Sequence, residues 1–266
     1  MKTMKRKRDF LRELSSVTQR PCTYFPEITA PVEEAFLWNV NISPAQTDEF
    51  LARGWRHVAS YFYRNSCKDC RRCLPIRVPA DLFEPSKSQR RVLRKNAETE
   101  FRMFEPAEFA AKYIRKSLLL YNRFLRIRYR KPPCDLGSYF NEFFVSPTPG
   151  LVSAVFIDGK LAGNGFLDLG ETSLSTIYFA FDPGFSDFSP GTFSILKEIE
   201  WARMAGLKYY YLGYCIREIS AMRYKGLFRP FQLLDFDTGK WKESDAHSDA
   251  GQPTREKTVR RIVERK

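Results

Sequence analysis

The chain has 266 residues, 43% hydrophobic and 15% aromatic, enough to bury one large core or two modest ones. With 44 Lys and Arg against 31 Asp and Glu, its net charge of +13 favours a polyanionic partner, RNA or DNA ahead of an anionic membrane surface. No apolar run approaches the ~20 residues of a membrane span, and Asp9, Arg12 and Glu13 interrupt what would be an apolar signal segment. The six cysteines are therefore read as ligands or core thiols of a cytoplasmic protein rather than as disulfides.

Residues 1–19 form a basic N-terminal extension and residues 242–266 a mobile polar tail, both adding electrostatic affinity for RNA. Between them the sequence divides near residue 100. The N-terminal part, 20–100, is irregular and rich in cysteine and arginine. In it, residues 44–53 predict a short helix, with Pro44 near its start and Gly54 at its end, and 55–63 an aromatic strand. The strand leads into Cys67-Lys68-Asp69-Cys70-Arg71-Arg72-Cys73, three thiols at CxxC spacing with only charged residues between them. That spacing lets consecutive thiolates reach one zinc ion or iron–sulfur cluster. A strand at 76–78 precedes a capped basic helix over 86–96, anchored by Val92 and Leu93 alone. Its Lys87, Arg90, Arg91, Arg94 and Lys95 offer phosphate contacts, with a solvated face as the competing reading. Arg71, Arg72 and Arg77 are candidates to hold a carboxylate in a bidentate fork.

The second part, 101–241, opens with an amphipathic helix over 108–125, on which Phe109, Tyr113, Ser117, Leu118, Tyr121 and Leu125 mark one face. Strands at 151–157 and 161–169 flank Asp158-Gly159, a two-residue hairpin signal, and 173–181 follows as a third strand. Ser189-Pro190-Gly191-Thr192 then opens a helix that runs to about residue 205 and ends at Gly206, before a strand at 208–212. Meander, glycine-bearing turn, helix and strand in this order resemble a Gcn5-related (GNAT) acyltransferase, whose splayed sheet exposes a helix N-terminus to the acyl donor. The predicted fold class is thus α/β (α+β): a cysteine-containing N-terminal domain plus a GNAT-like domain with a splayed mixed sheet.

Several short motifs carry a closer resemblance. Cys22-Thr23-Tyr24-Phe25-Pro26, the triple-cysteine segment, Pro75-Ile76-Arg77-Val78, and Pro85-Ser86-Lys87-Ser88-Gln89-Arg90-Arg91 stand in order. Tyr211-Leu212-Gly213-Tyr214 and Met222-Arg223-Tyr224-Lys225 follow them. Together they resemble the arginyl-tRNA–protein transferase family, in particular its bacterial aspartate/glutamate leucyltransferases, over roughly residues 20–240. The resemblance implies transfer of leucine from Leu-tRNA to the α-amino group of a protein that begins with Asp or Glu, marking it for N-degron proteolysis. Three alternatives stay open: Arg-tRNA as donor, acetyl-CoA as donor, and a metal-stabilised tRNA-binding protein without activity.

Aminoacyl-tRNA is already activated, so the chemistry requires no cofactor, no ATP and no nucleophilic side chain. The enzyme must position two substrates, keep the amine neutral, stabilise an oxyanion and return a proton to the ribose oxygen. The chain's two histidines, His57 and His247, offer little to a hydrolase reading. The resemblance makes Cys22 the fourth ligand beside Cys67, Cys70 and Cys73, and leaves Cys134 and Cys215 as packing or surface thiols. Tyr214, after Gly213 at a strand end, is expected to orient or protonate the leaving ribose oxygen. Its strand neighbours Tyr209, Tyr210 and Tyr211 are mostly core. Lys225 is expected to stabilise the oxyanion or hold the terminal phosphate, and Tyr224 beside it is a third candidate catalytic residue. Gly191 and Thr192 are assigned to the tRNA 3′ end, Asp182 to the donor's α-ammonium, and Gln89 to the tRNA-binding helix. Ala221 stands where the family commonly has Lys, so one basic group of that pattern is missing.

Overall fold

The computed structural model describes residues 15–19, 22, 24–26, 31–35, 37–38, 42–65, 67 and 70–243. The predicted extension before Ser15 and the tail after Glu243, with His247, lie outside them. Ser15–Gln19 (β1) and Pro31–Ala35 (β2) form an antiparallel pair. Leu37–Trp38 (β3), Arg56–Val58 (β4) and Tyr61–Tyr63 (β5) form a three-stranded sheet in the order β3-β5-β4. The strand expected over 55–63 is thus a hairpin. It turns at Ala59, whose φ of 50° is unusual for a residue with a Cβ, and the buried His57 ring bonds the Ala59 carbonyl. No Gly or Asn marks that turn in the sequence.

Helix α1 (Pro44–Ala52) begins at a capping box, Ser43 with Gln46, and its Asp48 accepts from the Thr172 amide (2.8 Å) and hydroxyl (2.9 Å). Ile42, Trp55 and Phe62 form a small core beside it.

The main sheet has eight strands: Leu74–Pro79 (β6), Glu100–Phe104 (β7), Gly150–Ile157 (β8), Lys160–Leu169 (β9), Ser173–Phe181 (β10), Tyr209–Cys215 (β11), Gln232–Asp235 (β12) and Lys240–Glu243 (β13). Their order is β13-β12-β6-β11-β10-β9-β8-β7. Every pair is antiparallel except β10 with β11. Asp158 and Gly159 turn β8 into β9 with φ of 50° and 70°, the double positive φ of a type I′ turn.

Both faces of this sheet are covered. Helix α3 (Pro106–Phe124) and α4 (Leu136–Phe143) lie on one face through Phe109, Leu120, Tyr121, Tyr139 and Phe143. Helix α5 (Pro190–Met204) lies on the other through Ile195, Leu196 and Ile199. Along β8, Val152, Ala154 and Phe156 join the first core while Leu151, Val155 and Ile157 face the other side. Burial on both faces explains why 151–157 reads as a continuous apolar run instead of an alternating one.

Two boundaries differ from the sequence reading. Strand β6 belongs to the main sheet, as β11's neighbour, and helix α2 (Lys87–Lys95) packs Val92 and Leu93 into the core around Phe193. The main sheet therefore draws strands from both sides of residue 100. At the other end β13 carries Lys242 and Glu243 into the sheet. Strands β7, β12 and β13 and helix α4 had no clear periodic signal, being short or mixed in polarity.

Candidate active site

Strands β10 and β11 pair only through Ser173 to Ser175 and Tyr209 to Tyr211. Beyond these, β10 stays with β9 as far as Phe181, and β11 stays with β6 as far as Cys215. The sheet splays there, and a cavity of about 710 Å3 opens at the gap. Residues from β4, β5, β10, β11, α5 and the segment 219–225 line it.

One wall is the buried Arg56, reaching in from β4. Its guanidinium donates to Ser175 Oγ at 2.8 Å and to the Thr176 carbonyl. Gly213, at a bulge in β11, has φ 88°, and a Cβ there would lie 3.2 Å from Arg56 Nη2. Glycine is needed at this position for both backbone conformation and clearance. The sequence reading missed Arg56, which carries no motif and sits in an aromatic strand.

Lys225 lies in a single 3-10 turn (Tyr224–Leu227) after the short helix α6 (Ser220–Arg223), and its Nζ donates to the Tyr214 carbonyl at 2.8 Å. Burial, then the nearby Arg56 charge, lowers its pKa to about 7, so its amine is substantially neutral at physiological pH. Tyr224 also lines the cavity, and burial followed by the Glu198 charge pushes its phenol up to about 12.

Tyr214 differs from expectation. It lines the cavity, but its hydroxyl accepts from the Asn65 amide at 3.2 Å and donates to the Gly54 carbonyl at 3.3 Å. Burial raises its pKa, so the group joins the N-terminal sheet to β11 and is poorly placed to donate a proton to ribose. Tyr210 and Tyr211 are core residues of the same strand, as expected.

Gly191 and Thr192 line the cavity at the start of α5, where Ser189 is left-handed (φ 52°) and no side chain caps the helix. Deeper lies Glu198, buried and bonded by Ser153 Oγ (2.7 Å), Ser194 Oγ (2.5 Å) and the Tyr210 hydroxyl. Burial raises its pKa.

Several expected contacts fall elsewhere. Asp182 caps its own turn through the Gly184 amide (2.8 Å) and pairs with Arg123 (2.8 Å), away from the cavity lining. Arg77 is buried in β6, stacked on Tyr209 and Trp241 and bonded to Gln232 (2.8 Å), which leaves it no route to a ligand carboxylate. Arg71 and Arg72 pair at the surface with Asp237 and Glu218. Gln89 is buried: it completes the α2 capping box with Ser86 and donates to the Leu227 carbonyl at 3.2 Å, so it fastens the Lys225 turn. Lys87, Arg90, Arg91, Arg94 and Lys95 are exposed on α2, and none lines the cavity.

A second basic segment was overlooked. Helix α3 continues as a π-helical turn, Leu125–Tyr129, where the sequence reading ended it. Arg126, Ile127, Arg128, Tyr129, Arg130 and Lys131 are all exposed, and Arg128 and Tyr129 reach the cavity rim. Alternating cations and apolar side chains were the available signal.

Cys22, Cys67, Cys70 and Cys73 are all half-buried and take part in no disulfide. Burial foremost, then the charges of the other three, pushes the Cys73 thiol up to about 12. The four are thus neighbours, yet among the described residues no three Cys, His, Asp or Glu side chains gather closely enough to hold a metal ion. Cys215 is buried in the core and Cys134 half-buried, as expected of packing thiols.

Family models for the N terminus and C terminus of arginine-tRNA-protein transferase match residues 20–91 and 116–235. An aspartate/glutamate leucyltransferase of Marinobacter nauticus is 35% identical over 84% of this chain and 92% of its own length. The chain belongs to the arginine-tRNA-protein transferase family. It is therefore a transferase. An aspartate/glutamate leucyltransferase of Leptospira interrogans is 30% identical over 89% of this chain and 93% of its own. Among solved structures, the C-terminal domain of a putative lysylphosphatidylglycerol synthetase from Agrobacterium fabrum superposes with a TM-score of 0.43. It is 16% identical and covers 54% of this chain and 46% of that one. No helix among the described residues of the transferase is long and apolar enough to cross a membrane.

Proposed function

We propose that the enzyme transfers leucine from Leu-tRNA to the α-amino group of a protein beginning with Asp or Glu, in the cytoplasm where charged tRNA is found. The observation that carries this is the cavity wall: Phe124, Ile177, Phe179, Ile195, Leu212 and Met222 supply apolar surface, and among the described residues Glu198 is its only carboxylate. Three hydroxyls already satisfy that carboxylate. A leucine side chain suits such a wall, whereas an arginine would need a free counter-charge. The names of the relatives support the same reading.

Lys225 serves as the general base. The peptide α-amine, whose ammonium titrates near ~8, attacks the ester carbonyl in its neutral form, and the neutral Lys225 amine takes the proton that the attacking nitrogen sheds. The new C–N bond forms, the ester C–O bond breaks, and the proton returns to the departing ribose oxygen. The amide-rich first turn of α5 faces the developing oxyanion. Arg128 at the rim and its exposed neighbours Arg126 and Arg130 hold phosphates of the acceptor arm, and Tyr129 offers a stacking face.

The test is transfer of radiolabelled amino acid from Leu-tRNA or Arg-tRNA to peptides beginning with Asp, Glu or Ala. Leucine on Asp and Glu peptides alone is expected. Arginine transfer would overturn the donor, and no transfer to any peptide would overturn the whole reading.

A further inference from the structure

Resting on the function proposed above, we infer that Arg56 reads the side-chain carboxylate of the acceptor's first residue. Arg56 is only 7% exposed yet borders the cavity. Its guanidinium cannot lose its charge, and burying a cation is tolerated when an anion or a dense set of acceptors meets it. Here Ser175 and Thr176 each supply one acceptor, and among the described residues no carboxylate pairs with it.

The groups that feel its charge are the phenols of Tyr24 and Tyr214, the imidazole of His57 and the amine of Lys225, none of them an anion at neutral pH. The buried Asp168 has His57 at 2.8 Å, and the buried Arg77, away from the cavity, is enclosed by Gln232, Tyr209 and Trp241, whereas Arg56 opens onto the cavity. Among the described residues, Arg56 is the buried cavity arginine that no carboxylate meets, so an acceptor's carboxylate can supply its counter-charge.

Its neighbour defines which anion fits. Lys225 shares the cavity with Arg56 and lies within reach of its charge. An N-terminal Asp or Glu carries its reacting amine and a carboxylate only one or two methylenes apart. The amine at Lys225 and the carboxylate on the Arg56 fork satisfy both groups at once, with two parallel N–H···O bonds. A tRNA phosphate has no such amine beside it, and exposed arginines at the rim meet phosphates without burial.

The experiment compares kcat/KM for peptides beginning with Asp, Glu, Asn or Gln, using the full chain and saturating Leu-tRNA. Wild-type enzyme is expected to prefer Asp over Asn by at least ~10²-fold, since a buried charged donor left unpaired penalises the amide. Arg56→Gln should bring that ratio to within a few fold of unity and Arg56→Lys should give an intermediate value. KM for Leu-tRNA should be unchanged in both. Ser175→Ala, which removes only the hydroxyl aiming Nη1, should lower the ratio several-fold and decides the matter if neither Arg56 variant folds. A wild-type ratio in the folded variants, or a raised KM for Leu-tRNA with the acceptor ratio intact, overturns the inference alone. A wild-type enzyme that transfers to no peptide refutes the underlying function instead.

Discussion

The basic helix α2 and the cavity wall are both cationic, and they use charge in opposite ways. Helix α2 displays five cations to solvent within nine residues, where each is screened over about a Debye length, ~8 Å at physiological salt. The cavity has three, Arg56, Lys225 and Arg128, two of them withdrawn from water. There a charge acts through a lower dielectric and is worth several times more. A dense run of arginine in the sequence therefore marks general attraction to a polyanion. In the proposed reaction the chemistry depends on single cations that the fold removes from water, and such residues leave no run to notice.

Substitutions can break this contrast, and the largest effect is expected at Lys225. Lys225→Met should lower single-turnover transfer by about 10²- to 10⁴-fold, the usual worth of a general base, with Leu-tRNA binding retained. The rate in the wild type should rise with pH through about 7, as the amine loses its proton, and Lys225→Met should remove that limb and leave only the rise near ~8 that belongs to the peptide amine. A flat wild-type profile between pH 6 and 8 would remove the general base.

Next in size is Gly213→Ala. A Cβ at 3.2 Å from Arg56, on a backbone of φ 88°, costs on the order of 1–3 kcal/mol and displaces the guanidinium. Lower unfolding midpoint together with lost acceptor preference is expected; full stability would mean that the gap is loose.

At the rim, Arg126→Ala with Arg130→Ala should raise KM for Leu-tRNA about tenfold and reduce the slope of log K against log salt by ~1–2. Arg91→Ala with Arg94→Ala on α2 should change KM no more than about threefold at physiological salt. Equal effects from the two pairs would make α2 part of the specific interface.

The smallest effect concerns His57. Burial alone would lower its pKa, but the Asp168 charge and hydrogen bond raise it above 6.5 overall. A raised folded pKa contributes stability that is fully present below ~6.5 and lost as pH rises through the folded value. Melting temperature should therefore fall on the alkaline side in the wild type, and His57→Gln should flatten that dependence while lowering stability at pH 6.

The amino-acid sequence by itself determined the elements whose signals are local. Asp158-Gly159 dictates a type I′ hairpin, Ser86 and Gln89 a capping box, and the spacing of Phe109, Ser117 and Tyr121 a buried helical face. The ordered motifs from Cys22 to Lys225 were enough to indicate the family. Only the tertiary structure decided which residues meet. Gln89 and Arg77 look like ligand-binding residues because they are polar and lie in motifs, yet packing consumes their hydrogen bonds. Tyr214 stands at the right strand end, but its hydroxyl is taken by Gly54 and Asn65. Arg56 stands 119 residues before Ser175 in the chain and meets it because β10 and β11 part after three residue pairs. Contacts across such separations depend on how strands diverge and which side chains fill the gap, and no periodicity or spacing along the chain encodes them.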